Sequence, residues 1–198
     1  MNTFNVFPRE NTRMRLIPAA SPAPPDWFSG GLKFGCTECG RCCKMNGDVW
    51  IAPEEVGTIA SHLQLEEDEF REAYTRRRIR GWACLKQSAS APGRGCVFFD
   101  ETNNQCGIYE VRPVQCSTYP FWPSLLESAE DWDDEAVAPD DDPDLTARRW
   151  SLEEGGCEGI RPDAPLVDAE TIRAKRDAAR RHWKRFPGFF IKRDSWFL

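Results

Sequence analysis

The sequence lacks any long apolar run and any recognisable export signal. No segment approaches the roughly 20 consecutive apolar residues that a membrane-spanning helix requires, so we expect no membrane span. An apolar signal core is missing from the N-terminal residues, because Pro8, Arg9, Glu10, Arg13 and Arg15 interrupt every candidate. We therefore expect an intracellular, reducing compartment, the cytoplasm by default, with an organellar stroma as the alternative.

Acidic residues outnumber basic residues, and histidine is scarce. The net charge of −6 at pH 7 disfavours a general nucleic-acid binder, because such proteins are usually basic. His62 and His182 are the only histidines, and each lies in a predicted helix, where a surface or packing role is expected. The sequence shows no catalytic triad, and it leaves open whether the protein is an enzyme.

Cysteine, in contrast, is abundant. The chain has nine cysteines in 198 residues, and in a reducing compartment they remain thiols. Four of them, Cys36, Cys39, Cys42 and Cys43, fall within eight positions. An odd number of cysteines fits metal ligands plus one spare thiol better than a closed set of disulfides. Thiolates are soft ligands that suit zinc, iron and iron–sulfur clusters.

The adjacent pair Cys42 and Cys43 indicates how many metal ions the site holds. Neighbouring side chains project in different directions, so both sulfurs seldom reach one tetrahedral ion, and we expect two metal sites or one polynuclear site. Cys84 lies between apolar neighbours and is predicted to be a packing residue. The predicted ligands are Cys36, Cys39, Cys42, Cys43, Cys96, Cys106, Cys116 and Cys157.

The first cysteines match a ferredoxin-type run only in part. The bacterial pattern is C-x2-C-x2-C-x3-C-P, and here Asn46 occupies the fourth position. An iron–sulfur cluster would need Cys43 or a distant residue as its fourth ligand. Four cations near the cysteines are predicted to offset the charge of the thiolates: Arg41, Lys44, Arg94 and Arg112.

A pocket beside the cysteines is a further hypothesis. Its candidate residues are Tyr109, Arg112, Tyr119 and Phe121. In the alternative interpretation, Arg112 bonds a carbonyl or carboxylate group and the aromatic rings belong to the core.

The spacing of apolar residues predicts an α+β fold. Helices are expected from Pro53, from about Glu66 and from about Asp168, and Pro113 is expected to start a short helix that carries Cys116. Residues 96–109 read as a β-hairpin with a polar turn. We expect a small, mostly helical domain with this one short hairpin and irregular loops gathered around a cysteine metal cluster.

The chain divides into three parts by composition. Residues 1–31 read as a flexible leader, 32–162 as the metal-binding domain and 163–198 as a basic C-terminal helix and tail. Residues 127–144 hold ten acidic residues and are expected to form a flexible loop. A calcium site there is disfavoured, because the spacing matches no EF-hand. The acidic loop or the basic helix could recruit a protein partner, or the two could dock together.

Four blocks of residues resemble one known family. The stretch "CTECGRCC" resembles the CxxCxxCC signature of YkgJ-type cysteine-cluster proteins, and "IAPEEVGTIASHL" with "EEDEF" resembles their helical segment. "GCVFFD" with "QCGIYEVRPVQCSTYPFW", and "GGCEGI" after a tryptophan, resemble the later blocks. The resemblance runs over residues 32–162. It implies that the cysteines bind zinc or iron, with an iron–sulfur cluster as one form of the site.

Three functions follow as expectations. The leading one is a metal-binding protein that chelates zinc or iron through its cysteine cluster. The first alternative is an iron–sulfur oxidoreductase, electron-transfer or accessory protein. The second is an adaptor in which a structural zinc site supports a surface that binds a partner.

Overall fold

A computed structural model describes residues 26–45, 47–88, 95–144 and 146–187 of the chain. The α-helices are α1 Arg41–Lys44, α2 Pro53–His62, α3 Glu67–Tyr74, α4 Val114–Ser117, α5 Ala129–Glu135 and α6 Ala169–Arg185. The strands are β1 Leu32–Lys33, β2 Trp50–Ile51, β3 Thr75–Ile79, β4 Trp82–Leu85, β5 Phe99–Asp100, β6 Gln105–Cys106 and β7 Leu166–Val167. Short 3₁₀ turns cover Tyr109–Val111 and Ser124–Leu126.

The strands form three small antiparallel sheets. Strand β4 lies in the centre of the largest sheet, whose order is β2–β4–β3. Strands β5 and β6 form a hairpin in which Phe99 pairs with Cys106. Strand β1 pairs with β7 from the other end of the chain, with Leu32 opposite Val167. This last pairing holds the start of the cysteine-rich loop beside the segment that leads into α6.

Helices α2 and α3 pack against the three-stranded sheet. Pro53 starts α2, where its fixed φ angle favours the first helical position and its missing N–H costs no hydrogen bond. The predicted apolar stripe lies on the buried face, since Val56 and Ile59 have no exposed surface. The first core cluster contains the buried residues Ile51, Val56, Ile59, Ala60, Phe70, Ala83, Leu85, Phe98 and Ile108.

A second apolar core joins the two ends of the described chain. Phe28 precedes the cysteine-rich loop, Trp132 lies on α5 and Ile172 lies on α6, and all three are buried. The full cluster is Phe28, Leu32, Phe121, Leu126, Trp132, Ile160 and Ile172. The cysteine-rich loop therefore connects Leu32 of the second core to Ile51 of the first core.

The predicted α+β class is confirmed, as are the helices over 53–62, 67–74 and 169–185 and the hairpin. The sheet content is larger than the single hairpin that we expected. Strand β3 follows α3 directly, and β4 continues from it through a turn at Gly81. Their residues carry little apolar alternation, since β3 is largely basic and β4 is wholly buried.

The acidic segment differs from the flexible loop that we expected. Residues 129–135 form α5, because Ser128 caps the helix by accepting a hydrogen bond from the Asp131 N–H at 3.1 Å. Trp132 and Glu135 of this helix are buried. An apolar side chain within the acidic run thus anchors the segment to the second core.

The described residues of the N-terminal part pack against the C-terminal helix α6 and against the chain near Leu126. Asp26 bonds Arg173 and Arg176 of α6 at 2.7 and 2.9 Å, and the Trp27 indole donates to the Leu126 carbonyl at 3.0 Å. The predicted leader is therefore not loose from residue 26 onward. Its residues 1–25, and the tail from residue 188, lie outside the described residues.

Candidate metal centre

The cysteine-rich loop runs from β1 to α1 and is held against the end of the domain. The Gly35 N–H donates to the Gly159 carbonyl at 3.0 Å, two residues beyond Cys157. The loop then turns at Gly40, whose φ of 72° favours glycine. A Cβ atom there would clash with the ring of Phe99 in the hairpin. The loop thus passes between the hairpin and the segment that carries Cys157.

Backbone hydrogen bonds fix the four distant cysteines, and one of these bonds joins Cys96 directly to Cys43. The Cys96 N–H donates to the Cys43 carbonyl at 2.7 Å. Cys106 lies on β6, opposite Phe99. Cys116 lies on α4, and its N–H donates to the Pro113 carbonyl at 2.9 Å. The Cys157 N–H donates to the carbonyl of Glu135, the last residue of α5, at 2.7 Å.

All eight predicted ligands line one cavity. Its volume is about 490 Å³. Cys36 and Cys42 are exposed, and the other six cysteines are half-buried. The cysteines in the lining are Cys36, Cys39, Cys42, Cys43, Cys96, Cys106, Cys116 and Cys157. The structure therefore brings together thiols from three separated parts of the sequence, residues 36–43, 96–116 and 157.

Cys84 lies apart from these thiols. It is fully buried in β4, and its thiol donates to the Leu85 carbonyl at 3.6 Å. Burial raises the pKa of this thiol. Its position agrees with the predicted packing role.

Cys43 lies between two other thiols. Its side chain is within hydrogen-bonding distance of both Cys42 and Cys106. These contacts raise the pKa of Cys43, while the hydrogen bond from Cys43 lowers the pKa of Cys42 and lowers that of Cys106 to about 6. Because Cys42 and Cys43 are consecutive in α1, one helical turn directs two thiols into the same cluster.

The thiols of Cys96, Cys116 and Cys157 are held in their protonated form by their surroundings. Burial is the main cause, and it raises the pKa of Cys96 and of Cys157 to about 12 each. Burial also raises the pKa of Cys116 well above its ordinary value, and neighbouring thiols add to the effect. Charged thiolates here would repel one another, so a cation that binds them must displace their protons.

The donor set fits zinc or iron by its chemistry. Eight thiols and no histidine line the cavity, and thiolate-rich sets select zinc, iron and iron–sulfur clusters. Within the ranges that the structure describes, however, no group of three or more His, Cys, Asp or Glu side chains is arranged so that it could hold a metal ion. The thiols surround the cavity without closing into a coordination shell.

The predicted cations contribute to different extents. Arg112 acts on the thiols directly, since its charge lowers the pKa of Cys42 and Cys106. Arg41 is buried and forms ion pairs with Asp140 at 2.8 Å and Glu158 at 2.9 Å, so carboxylates already neutralise it.

Lys44 lies 5.1 Å from the centre of the Phe99 ring and 3.5 Å from the Asn104 side-chain oxygen. Arg94 lies outside the described residues.

The four residues of the hypothetical pocket line the same cavity as the thiols. Arg112 stacks on Tyr109, 3.8 Å from the ring centre, and its Nε–H donates to the Tyr109 carbonyl. Phe121 is buried against Trp132, and the Tyr119 hydroxyl donates a hydrogen bond to the Glu135 carboxylate. Both interpretations thus hold in part, because all three rings border the cavity but only Phe121 belongs to a core, while Tyr109 is exposed.

Burial and the Glu135 carboxylate raise the pKa of Tyr119 well above its ordinary value. Burial likewise raises the pKa of Glu135, although the hydrogen bond from Tyr119 opposes the shift. This pair lies next to Cys157, whose N–H is bonded to the Glu135 backbone. The acidic segment therefore forms part of the wall around the thiols.

Neither histidine lines the cavity. His62 is exposed at the end of α2. His182 is buried on α6, with Nε2 3.2 Å from the Trp50 carbonyl oxygen and Nδ1 3.7 Å from Glu55. The expected surface and packing roles match these positions.

Sequence reasoning missed two polar residues of this region. Glu158 follows Cys157 and accepts a hydrogen bond from Thr37 at 2.6 Å, beside the cysteine-rich loop. Lys175 lines the cavity from α6. A signal for Lys175 was present, because it shares one helical face with the buried residues Ile172 and Ala179. A lysine in such a stripe indicates a polar contact inside the fold.

Comparison with known proteins agrees with these features. Residues 35–144 match the model of the CxxCxxCC family, described as a "putative zinc- or iron-chelating domain". The match spans more than half of the chain, and the chain belongs to this family. Family membership supports metal binding, with zinc or iron as the metal.

The chain is also similar to an uncharacterized protein of Methanocaldococcus jannaschii. The two are 29% identical over 96 residues, which cover 48% of this chain and 49% of the relative. The matched part thus spans about half the length of that curated protein. No solved structure matches the chain.

Among the helices of the described residues, none combines the length and the apolar composition that crossing a bilayer requires.

Proposed function

We infer that the eight cavity cysteines bind zinc or iron as one polynuclear centre. One observation carries this inference: thiols from three separated parts of the sequence line a single cavity. A polynuclear centre needs thiols that serve more than one ion, and Cys43 is placed between Cys42 and Cys106. The cysteine blocks would supply the ligands, and metal binding would draw the thiols inward while their protons leave.

The metal defines the chemistry that the centre supplies. Zinc would supply a redox-inert cross-link between the segments that carry the cysteines. Iron, alone or in an iron–sulfur cluster, would add electron transfer. The thiol set suits both.

A role as an adaptor receives less support than metal binding. The acidic segment is folded through α5, Asp140 pairs with Arg41, and the Glu135 carbonyl accepts from Cys157. These contacts favour a role in building the cavity over recruitment of a partner by a free loop.

Elemental analysis of untagged protein, purified without added metal and without oxygen, tests the proposal. We expect more than one metal ion per chain in the wild type and a loss of metal in Cys43→Ala. Cys84→Ala is the matched control, because Cys84 is a thiol that does not line the cavity, and it should keep its metal. Visible absorption of the same samples separates coloured iron centres from colourless zinc.

Folded wild-type protein with one metal ion or fewer per chain would contradict the proposed function. Equal metal loss in the Cys43 and Cys84 variants would contradict the assignment of ligands.

A further inference from the structure

We propose that α6 completes the metal centre by placing the ammonium group of Lys175 beside the thiolates, where it offsets their charge. The inference rests on the proposed function and extends it beyond the segment that matches the family, since α6 lies outside residues 35–144. In this proposal, the basic C-terminal helix contributes a charged residue to the metal site.

A centre of thiolates needs nearby positive charge. Four thiolates around one divalent cation carry a net charge of about −2, and eight thiolates in one cavity make the requirement larger. Arg41 cannot meet it alone, because Asp140 and Glu158 already neutralise it. Arg112 contributes, but it lies on the side of Cys42 and Cys106.

Lys175 supplies a cation on the side of α4. Its Nζ donates to the carbonyl of Ser117 at 3.0 Å, and Ser117 is the residue after Cys116. The side chain is half-buried and lines the cavity. An ammonium group has three donors, and among the described residues one is used, so two remain for acceptors inside the cavity.

The position of Lys175 follows from how α6 is docked. Ile172 and Ala179, on either side of it along the helix, have no exposed surface. Arg173 and Arg176 hold the outer side of the helix to Asp26. These anchors fix the helix face that bears Lys175 toward α4 and the thiols. Lys175 is thus a positioning and charge-balancing residue rather than a ligand.

Metal affinity measured on full-length variants tests the proposal. Lys175→Gln keeps an N–H donor for the Ser117 carbonyl but removes the charge, and Lys175→Arg restores the charge. We expect the affinity for Zn²⁺, measured by competition with a chromophoric chelator, to fall about tenfold or more in Lys175→Gln. Lys175→Arg should recover most of that loss.

Arg180→Gln is the matched control, because Arg180 lies on the exposed side of the same helix. It removes the same charge from the molecule and should leave Zn²⁺ affinity unchanged. The melting temperature of the metal-free proteins reports separately on any effect on folding.

Two results would overturn the inference: equal affinity in the wild type and Lys175→Gln, or equal loss in Lys175→Gln and Arg180→Gln. Failure of the wild type itself to bind more than one metal ion would refute the proposed function instead. The wild-type stoichiometry therefore distinguishes the two failures.

Discussion

Arg41 shows at the scale of one residue how charge near the cysteines serves the fold. It lies in α1 between Gly40 and Cys42, and its guanidinium is buried. It bonds the Ala138 carbonyl at 3.2 Å as well as Asp140 and Glu158. One side chain therefore ties the cysteine-rich loop to the acidic segment and to the segment after Cys157.

Replacement of Arg41 should destabilise the protein more than replacement of an exposed arginine. In Arg41→Met, the Ala138 carbonyl and the Glu158 carboxylate lose their buried donor, and we expect a loss of about 1–3 kcal/mol. Urea unfolding at equal metal content measures the change.

Arg77→Met is the control for Arg41→Met. Arg77 is half exposed and shares Asp48 with Arg76, so its loss should cost less than about 1 kcal/mol. Equal losses in the two variants would show that the buried ion pairs of Arg41 contribute nothing specific.

At the scale of secondary-structure elements, the contact between the cysteine-rich turn and the hairpin sets the shape of the cavity. Gly40 lies directly against Phe99, which is paired with Cys106. The Asn104 side chain donates to the Glu38 carbonyl at 3.0 Å, a second contact between turn and hairpin. These contacts place Cys39, Cys42 and Cys106 around a common space.

A side chain at Gly40 should separate these elements. Gly40→Ala must accept a φ of 72° and displace the Phe99 ring, and we expect a cost of about 1–3 kcal/mol with reduced metal content. Gly30→Ala is the control, since a Cβ atom added at Gly30 would have no neighbour within 4 Å. Elemental analysis and thermal unfolding measure both effects, and unchanged metal content in Gly40→Ala would refute this role of the turn.

At the scale of the whole molecule, α6 connects the second core with the three-stranded sheet. Ile172 belongs to the second core, and His182 packs its ring 4.7 Å from the Trp82 ring beside the three-stranded sheet. Arg185 adds an exposed ion pair with Glu54 of α2 at 2.5 Å. Helix α6 therefore contacts both ends of the described domain. Its arginines form ion pairs with Asp26 near the N-terminal end and with Glu54 of α2.

The buried residue His182, near the C-terminal end of α6, makes the free energy of unfolding depend on pH. Burial lowers the pKa of His182 below its ordinary value of 6.5, although Glu55 and Glu54 oppose the shift and Arg185 adds to it. The unfolded chain therefore takes up a proton at a higher pH than the folded chain. The contribution of neutral His182 to stability is present above pH 6.5 and is lost as the pH falls through the pKa of His182 in the folded state.

His182→Gln should flatten the fall of stability between about pH 7 and 5. For one proton, the difference in slope is at most about 1.4 kcal/mol per pH unit. His62→Gln, at an exposed position, should retain the wild-type slope. Chemical unfolding across this pH range measures the slopes, and identical slopes for the wild type and His182→Gln would contradict the prediction.

The sequence by itself determined the local features of this protein. Regular spacing of apolar residues predicted α2 and α3, the C-terminal segment was expected to be the helix α6, and the polar turn predicted the β5–β6 hairpin, because these patterns depend on near neighbours along the chain. The crowding of cysteines predicted a thiol-rich site, and the resemblance in four blocks predicted the family. The eight candidate ligands were named at this level, and their binding of metal is still a prediction.

Only the tertiary structure decided which of these parts share one space. The order of the three-stranded sheet, the cavity shared by eight thiols and the inward position of Lys175 all depend on contacts between segments far apart in sequence. The acidic segment shows the reason most clearly. Its composition favours a loop, but burial of Trp132 in the second core and the bond between Arg41 and Asp140 draw it into the wall of the site. Such long-range packing leaves no periodic pattern along the chain.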